Sequence, residues 1–172
     1  NNIYSIISDG YGGLWVASLE YLLHFDIDKR NFTIVDVDED GHKLQQYNRL
    51  LFCDSKKRIW AGGEMGISVF NQVGTSLLPN TDFQIASVLK QAFVNCFYET
   101  SSGYLWIGTR NGLFALKESD KQFLQYTTEN GLPSNVIYGI LEDAYGRLWI
   151  STNQGLSCLN PESGKFRNFT IM

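Results

Sequence analysis

The side chains able to do covalent chemistry are few and scattered. His24 and His42 stand in unrelated surroundings, and neither has a serine or cysteine placed as in a nucleophilic triad. A lone histidine in a strand or a charged loop is ordinarily a packing or solvated residue, so no catalytic residue is assigned. Carboxylates cluster once, at Asp36, Asp38, Glu39 and Asp40. The run Asp36-Val-Asp38-Glu-Asp40-Gly41 opens like a calcium loop but lacks its closing glutamate, so it reads as a solvated acidic connector holding no metal. Cys53, Cys96 and Cys158 are odd in number and irregularly spaced, with no CxxC. They form neither a disulfide framework nor a zinc site and read as small buried apolar side chains. No cofactor is implied either, because a phosphate cradle needs a strand, a glycine loop and a helix in succession.

Binding chemistry is better supplied. Glu64 and Met65, Arg110 and Asn111, and Asn153 and Gln154 occupy three short glycine-ended turns, and Glu129 and Asn130 sit in a connector. Amides and a guanidinium suit hydroxyl-rich or anionic sugars, with Tyr or Trp as stacking faces. The same residues also make ordinary turns, since Asn before Gly is a default turn former whatever the ligand.

The elements that must position these residues come from a repeat. The four tryptophans, Trp15, Trp60, Trp106 and Trp149, are separated by 45, 46 and 43 residues. An aliphatic residue precedes each: Leu14, Ile59, Leu105 and Leu148. Six residues after the Trp stand Gly66, Gly112 and Gly155, with Tyr21 the exception. Six before it stand Asp9, Asp54 and Asp143, with Thr100 the exception. In the strongest copy, apolar runs at 135–143, 148–152, 156–159 and 166–169 are separated by glycine-containing turns. Runs of this length and type predict antiparallel hairpins, and no stretch carries a sustained helical period. Four strands in some 44 residues, repeated, is the pattern of a β-propeller blade.

The fold class expected is therefore all-β: four four-stranded antiparallel blades, as an arc of a larger propeller. The boundaries expected are about 1–36, 47–80, 94–127 and 135–172, with Asp82 to Lys90 as an added rim strand or short helical turn. One blade cannot cover both its apolar faces alone, so the tryptophans and their aliphatic neighbours should lie between blades. The aspartates should cap the first turns through backbone N–H groups, and the glycines should supply positive φ.

Composition fits this reading. The 172 residues include four Trp, nine Tyr, eleven Phe and sixteen Gly but three Pro, a mix suited to strands and tight turns. Hydrophobic residues make up 44% and charged residues 19%, which excludes intrinsic disorder. A net charge of −4 gives no support to nucleic-acid binding, and no run approaches the ~20 apolar residues of a membrane helix, so no membrane contact is expected of this segment. The chain starts at Asn1 with no leader pattern and reads as a mature or excised piece.

Leu105-Trp-Ile-Gly-Thr-Arg-Asn-Gly-Leu113, followed by Tyr126-Thr-Thr-Glu-Asn-Gly-Leu-Pro-Ser-Asn135, resembles the two-component regulator propeller repeat. Asp143, Gly146, Leu148, Trp149, Ile150, Thr152, Gly155 and Leu156 fall on the same pattern. The first copy departs from it at Ala17 to Tyr21, and the second has Lys57 where the turn glycine belongs. The resemblance implies a non-catalytic sensor segment from the periplasmic part of a membrane-anchored hybrid histidine kinase, responding to oligosaccharides. The partners implied are an oligosaccharide or other small ligand and the remaining blades of the parent. Bare end faces predict self-association of the isolated fragment. A protein-interaction scaffold is the alternative, and a propeller lyase or glycosidase a third reading without a converging carboxylate pair to support it.

Overall fold

The structure, a computed structural model, describes residues 2–18, 20–35, 48–80, 89–117 and 122–170. The acidic connector with Asp36, Asp38, Glu39, Asp40 and His42 lies outside the described residues, as does most of the expected rim segment, 81–88. Sixteen strands form four four-stranded antiparallel sheets, each built from strands consecutive in sequence. They are β1 (Ile3–Ser8), β2 (Gly13–Ser18), β3 (Leu22–Asp26) and β4 (Asn31–Ile34); β5 (Asn48–Cys53), β6 (Arg58–Gly63), β7 (Gly66–Val73) and β8 (Ser76–Pro79); β9 (Val94–Glu99), β10 (Tyr104–Thr109), β11 (Gly112–Lys117) and β12 (Gln122–Tyr126); and β13 (Ile137–Glu142), β14 (Leu148–Thr152), β15 (Gly155–Asn160) and β16 (Lys165–Phe169). Among the described residues a 3-10 turn, Thr128–Asn130, precedes the last sheet. The chain divides into two compact units, Asn1–Ala92 and Phe93–Met172, each holding two sheets.

Within each unit a tryptophan seals one sheet against the next. In the first, Trp15, Ala17 and Leu22 pack with Leu51, Ile59 and Ala61. In the second, Trp106, Leu113 and Ala115 pack with Ile137, Leu148 and Ile150. The strand period of two places these residues on one face, and a buried indole lost to alanine costs on the order of 3–5 kcal/mol. Trp149 differs: it is half-buried and stacks on Phe169 at 5.6 Å, because it lies on the face of the fourth sheet turned away from the third. The cysteines are free; Cys158 is buried, while Cys53 and Cys96 are only half-buried.

Register repeats as faithfully as composition. The first strand of every sheet carries an irregularity near its start, at Ile3/Ser5, Asn48/Leu50, Val94/Cys96 and Ile137/Gly139. The displaced residues are Tyr4, Arg49, Asn95 and Tyr138, three different residue types at one position of the repeat. Such bulges set strand twist through the backbone, so the side chain there is free to vary.

The first turn of each sheet needs a left-handed residue three places after the Asp or Thr. Gly12, Gly103 and Gly146 take φ of 95°, 79° and 73°, and Lys57 takes 63° in the copy that has no glycine. The repeat's geometry thus overrides the side chain. At the second turn Gly112 has φ 119°, and an added Cβ would lie 2.6 Å from the Tyr126 carbonyl oxygen. Lys57→Gly should therefore raise unfolding stability in urea by about 0.5–1 kcal/mol, the left-handed penalty less the entropy of a freer unfolded chain. Gly112→Ala should lower it by more than that, since strain and overlap add.

Candidate functional site

Six of the expected site residues come together in the second unit. Arg110 and Asn111 join β10 to β11, Asn153 and Gln154 join β14 to β15, and Glu129 and Asn130 belong to the connector between β12 and β13. The pairings of Thr109 with Gly112, Leu113 with Tyr126, and Ile137 with Thr152 place all three segments at one end of the two sheets. Glu64 and Met65 occupy the corresponding β6–β7 loop of the first unit.

Several of these residues already have structural duties. Thr109 Oγ1 donates to Gly112 O at 2.8 Å and accepts from Asn111 N at 2.9 Å. Thr152 does the same for Gly155 O and Gln154 N, at 2.9 and 3.1 Å. Asn130 Oδ1 accepts from Thr127 N at 2.8 Å, closing a capping box, and Thr128 N donates to Asn135 Oδ1 at 2.8 Å. The Arg110 guanidinium lies 3.6 Å over the Phe93 ring centroid, and Glu64 pairs with Arg49 at 2.5 Å. The exposed amide groups of Asn111, Asn153 and Gln154, the Glu129 carboxylate and the stacked Arg110 are what this end offers a ligand.

At the opposite end of its own strands, each of three sheets carries a carboxylate in the first turn. Asp54 Oδ1 accepts from Lys56 N and Arg58 N at 3.0 and 2.9 Å, while its Oδ2 accepts from Arg58 Nε at 2.6 Å and Trp60 Nε1 at 2.8 Å. Asp143 repeats the set with Tyr145 N, Arg147 N, Arg147 Nε and Trp149 Nε1, at 2.9, 3.1, 2.8 and 2.9 Å. One aspartate thus ties its own turn to the tryptophan six residues on, which is why the two recur at fixed spacing. In the first sheet Asp9 Oδ1 still holds the N–H groups of Tyr11 and Gly13, at 2.7 and 2.8 Å. Its Oδ2 goes instead to His24 Nε2 at 2.7 Å. His24 is buried against Trp15, ring centroids 4.7 Å apart, in space that opens because Gly13 stands where the other sheets have Arg58 and Arg147. A Cβ on Gly13 would come within 2.7 Å of His24 Nε2. His24 is thus a packing residue in the substituted arginine's place, and the Trp15 indole N–H is left without a partner.

The third sheet has neither partner. Thr100 replaces the aspartate and Tyr104 the arginine, and Trp106 Nε1 is buried without a partner. Beside it a cleft of about 340 Å³ opens between the third and fourth sheets, walled by Tyr104, Trp106, Leu124, Glu142, Tyr145 and Glu162 among others. None of its walls is a residue expected from sequence. The signal was present as the one break in the aspartate series, at Thr100.

Charge and burial tune these groups. Partial burial opposes ionisation of Asp143, but the indole of Trp149, two backbone N–H groups and the Arg147 guanidinium outweigh it and hold the carboxyl well below its usual range. Burial likewise works against Asp9, and His24 with the N–H groups of Tyr11 and Gly13 overcomes it. Burial pushes the Cys96 thiol up to about 12, far from any reactive thiolate. Among the described residues no group of His, Cys, Asp or Glu is arranged to hold a metal ion, and no helix is long and apolar enough to cross a membrane.

The fold is that of β-propeller blades. The two-component regulator propeller family model matches residues 89–111 and 131–154, the first two strands and second turn of the third and fourth sheets. The chain is similar over its whole length to the extracellular domain of BT4673 from B. thetaiotaomicron, described as a hybrid two component system (TM-score 0.78, 20% identity, 22% of that chain). The extracellular domain of BT3049 from the same organism, described likewise, gives a TM-score of 0.76 at 20% identity, over 99% of this chain and 24% of that one. PorZ, a bacterial surface component of the type-IX secretion system of Porphyromonas gingivalis, gives 0.69 at 22% identity, over 90% and 25%. The chain thus spans about a quarter or less of the solved chains it matches. No curated protein matches it.

Asp143 gives a pH test. Because its folded pKa lies below the unfolded value near 3.8, its contribution is present at neutral pH and is lost as pH falls below about 4. The urea midpoint of the native protein should fall between pH 5 and pH 2.5, and Asp143→Asn should flatten part of that fall while lowering stability at pH 7. An unchanged pH profile in the variant would show that the carboxylate is not held in this way.

Proposed function

We propose that the chain is a non-catalytic segment of the periplasmic sensor of a bacterial hybrid two-component regulator with a histidine kinase as its output, and that it contributes to detecting an oligosaccharide. The observation that supports this most is the pair of matches to the two-component regulator propeller family model at 89–111 and 131–154, set in a fold like that of the extracellular domains of two hybrid two component systems. The exposed polar groups of Arg110, Asn111, Asn153, Gln154, Glu129 and Asn130 at one end of the second unit, with Glu64 in the first, suit a hydroxyl-rich ligand held by loops on a rigid scaffold. Other blades of the parent are the natural neighbours of the end faces. The fourth sheet exposes Leu141, Leu156 and Phe169, and the first exposes Ile3, Ile6, Phe32 and Ile34. Buried against partner blades, such side chains each contribute roughly 1.5–3 kcal/mol, which favours self-association of the isolated chain.

A second reading is an interaction scaffold whose surface docks a protein; PorZ, which shares the fold, is a surface component of a secretion system. Thermal unfolding in the presence of neutral and acidic oligosaccharides separates the two. The sensor reading expects at least one to raise the midpoint by several degrees, and Arg110→Ala with Gln154→Ala to reduce that rise. No shift with any oligosaccharide would leave the scaffold reading in possession.

A further inference from the structure

The cleft between the third and fourth sheets occupies a place that the other turns fill with their own side chains. Trp60 and Trp149 each give their indole N–H to a turn aspartate, over which an arginine closes. At Thr100 the hydroxyl accepts from Tyr104 N at 3.1 Å, donates to Tyr104 O at 3.2 Å and meets Ser102 Oγ at 3.0 Å. The turn is therefore satisfied, but nothing replaces the second carboxylate oxygen. Trp106 is 1% exposed, its Nε1 has no partner, and its ring walls the cleft. A buried N–H left unpaired costs about 1–3 kcal/mol, and an oxygen admitted to it by a small shift of the cleft wall would recover that cost.

We propose that this cleft binds an uncharged polyhydroxylated ring, one oxygen of which accepts from Trp106 Nε1. Charge and hydrogen bonding select the class. A carboxylate ligand would meet Glu162 and Glu142, the latter already accepting from Ser101 N and Oγ at 2.9 and 3.0 Å, while Arg147, the guanidinium on the cleft wall, is already paired with Asp143 at 2.8 Å. An ammonium group has no acceptor and leaves the indole N–H unsatisfied, as does a hydrocarbon. A polyol has both capacities: an oxygen for the indole and hydroxyl protons for the carboxylates. Its apolar ring face would lie against Tyr145 and Leu124, which are 83% and 51% exposed. The volume of about 340 Å³ lies within the range of ~300–1,000 Å³ typical of small-molecule sites. This inference rests on the ligand-sensing reading but moves the contact to the end of the blades remote from Arg110 and Gln154.

The test is to follow the four indole N–H resonances of the ¹⁵N-labelled chain while adding glucose, N-acetylglucosamine, glucuronate or methylammonium. A neutral sugar should move the Trp106 resonance downfield, more strongly than glucuronate or methylammonium does. Thr100→Asp restores the carboxylate that Asp54 and Asp143 supply in turns of the same form. It should fold and should weaken the sugar at least roughly tenfold, the worth of one buried hydrogen bond. Tyr145→Ala, at an exposed position, should also weaken it. Unchanged affinity in Thr100→Asp, a preference for glucuronate, or sugar binding that disturbs only the 110–111 and 153–154 loops would overturn the cleft, the last leaving the sensor reading intact. No response to any sugar would count against both.

Discussion

One four-residue turn recurs in every sheet, and in the second and fourth a single carboxylate ties it to the buried face. An aspartate at the first turn uses one oxygen to gather two backbone N–H groups and the other to hold an indole six residues later. The turn is then fixed, the tryptophan's rotamer is fixed with it, and the face that meets the next sheet is defined. A short polar side chain that satisfies the backbone locally and an aromatic that needs one polar partner when buried are suited to each other. The spacing follows from the strand: the turn returns the chain alongside itself, and the tryptophan is the second or third residue of the strand that comes back.

The exceptions show how much freedom that arrangement allows. Where Arg58 and Arg147 give way to Gly13, His24 moves in from the neighbouring strand and takes the free oxygen of Asp9. Where Thr100 stands for the aspartate, the turn survives on a hydroxyl and the indole goes unpaired. Both sheets keep the same strand order and register as the others, so the backbone turn, not the indole bond, is the indispensable part.

Much of this architecture is legible in the residues. The four tryptophans, the glycines at 66, 112 and 155 and the aspartates at 9, 54 and 143 announce a four-stranded module, because each does a job that few residue types can do. The left-handed Lys57 and the bulges at Tyr4, Arg49, Asn95 and Tyr138 are not legible, since there the backbone is set by pairing with neighbours and any side chain is tolerated. Six of the loop residues expected to bind a ligand share one end of the second unit, while Glu64 lies in the first. Their types alone could not show that Asn130 closes a capping box, Arg110 stacks on Phe93 and Glu64 pairs with Arg49. The cleft was hidden for a different reason: it arises from an absent carboxylate, and an absence becomes a site only when the neighbouring sheet supplies the other wall.

The account turns on the division of the four indoles into two kinds, which their N–H proton chemical shifts report directly. Trp60 and Trp149, bonded to carboxylates, should resonate clearly downfield of Trp15 and Trp106, and Asp54→Ala should carry the Trp60 signal to the upfield pair without disturbing Trp149. Four shifts without that division, or a Trp60 signal indifferent to the loss of Asp54, would contradict the claim that a turn carboxylate holds the indole in the second and fourth sheets.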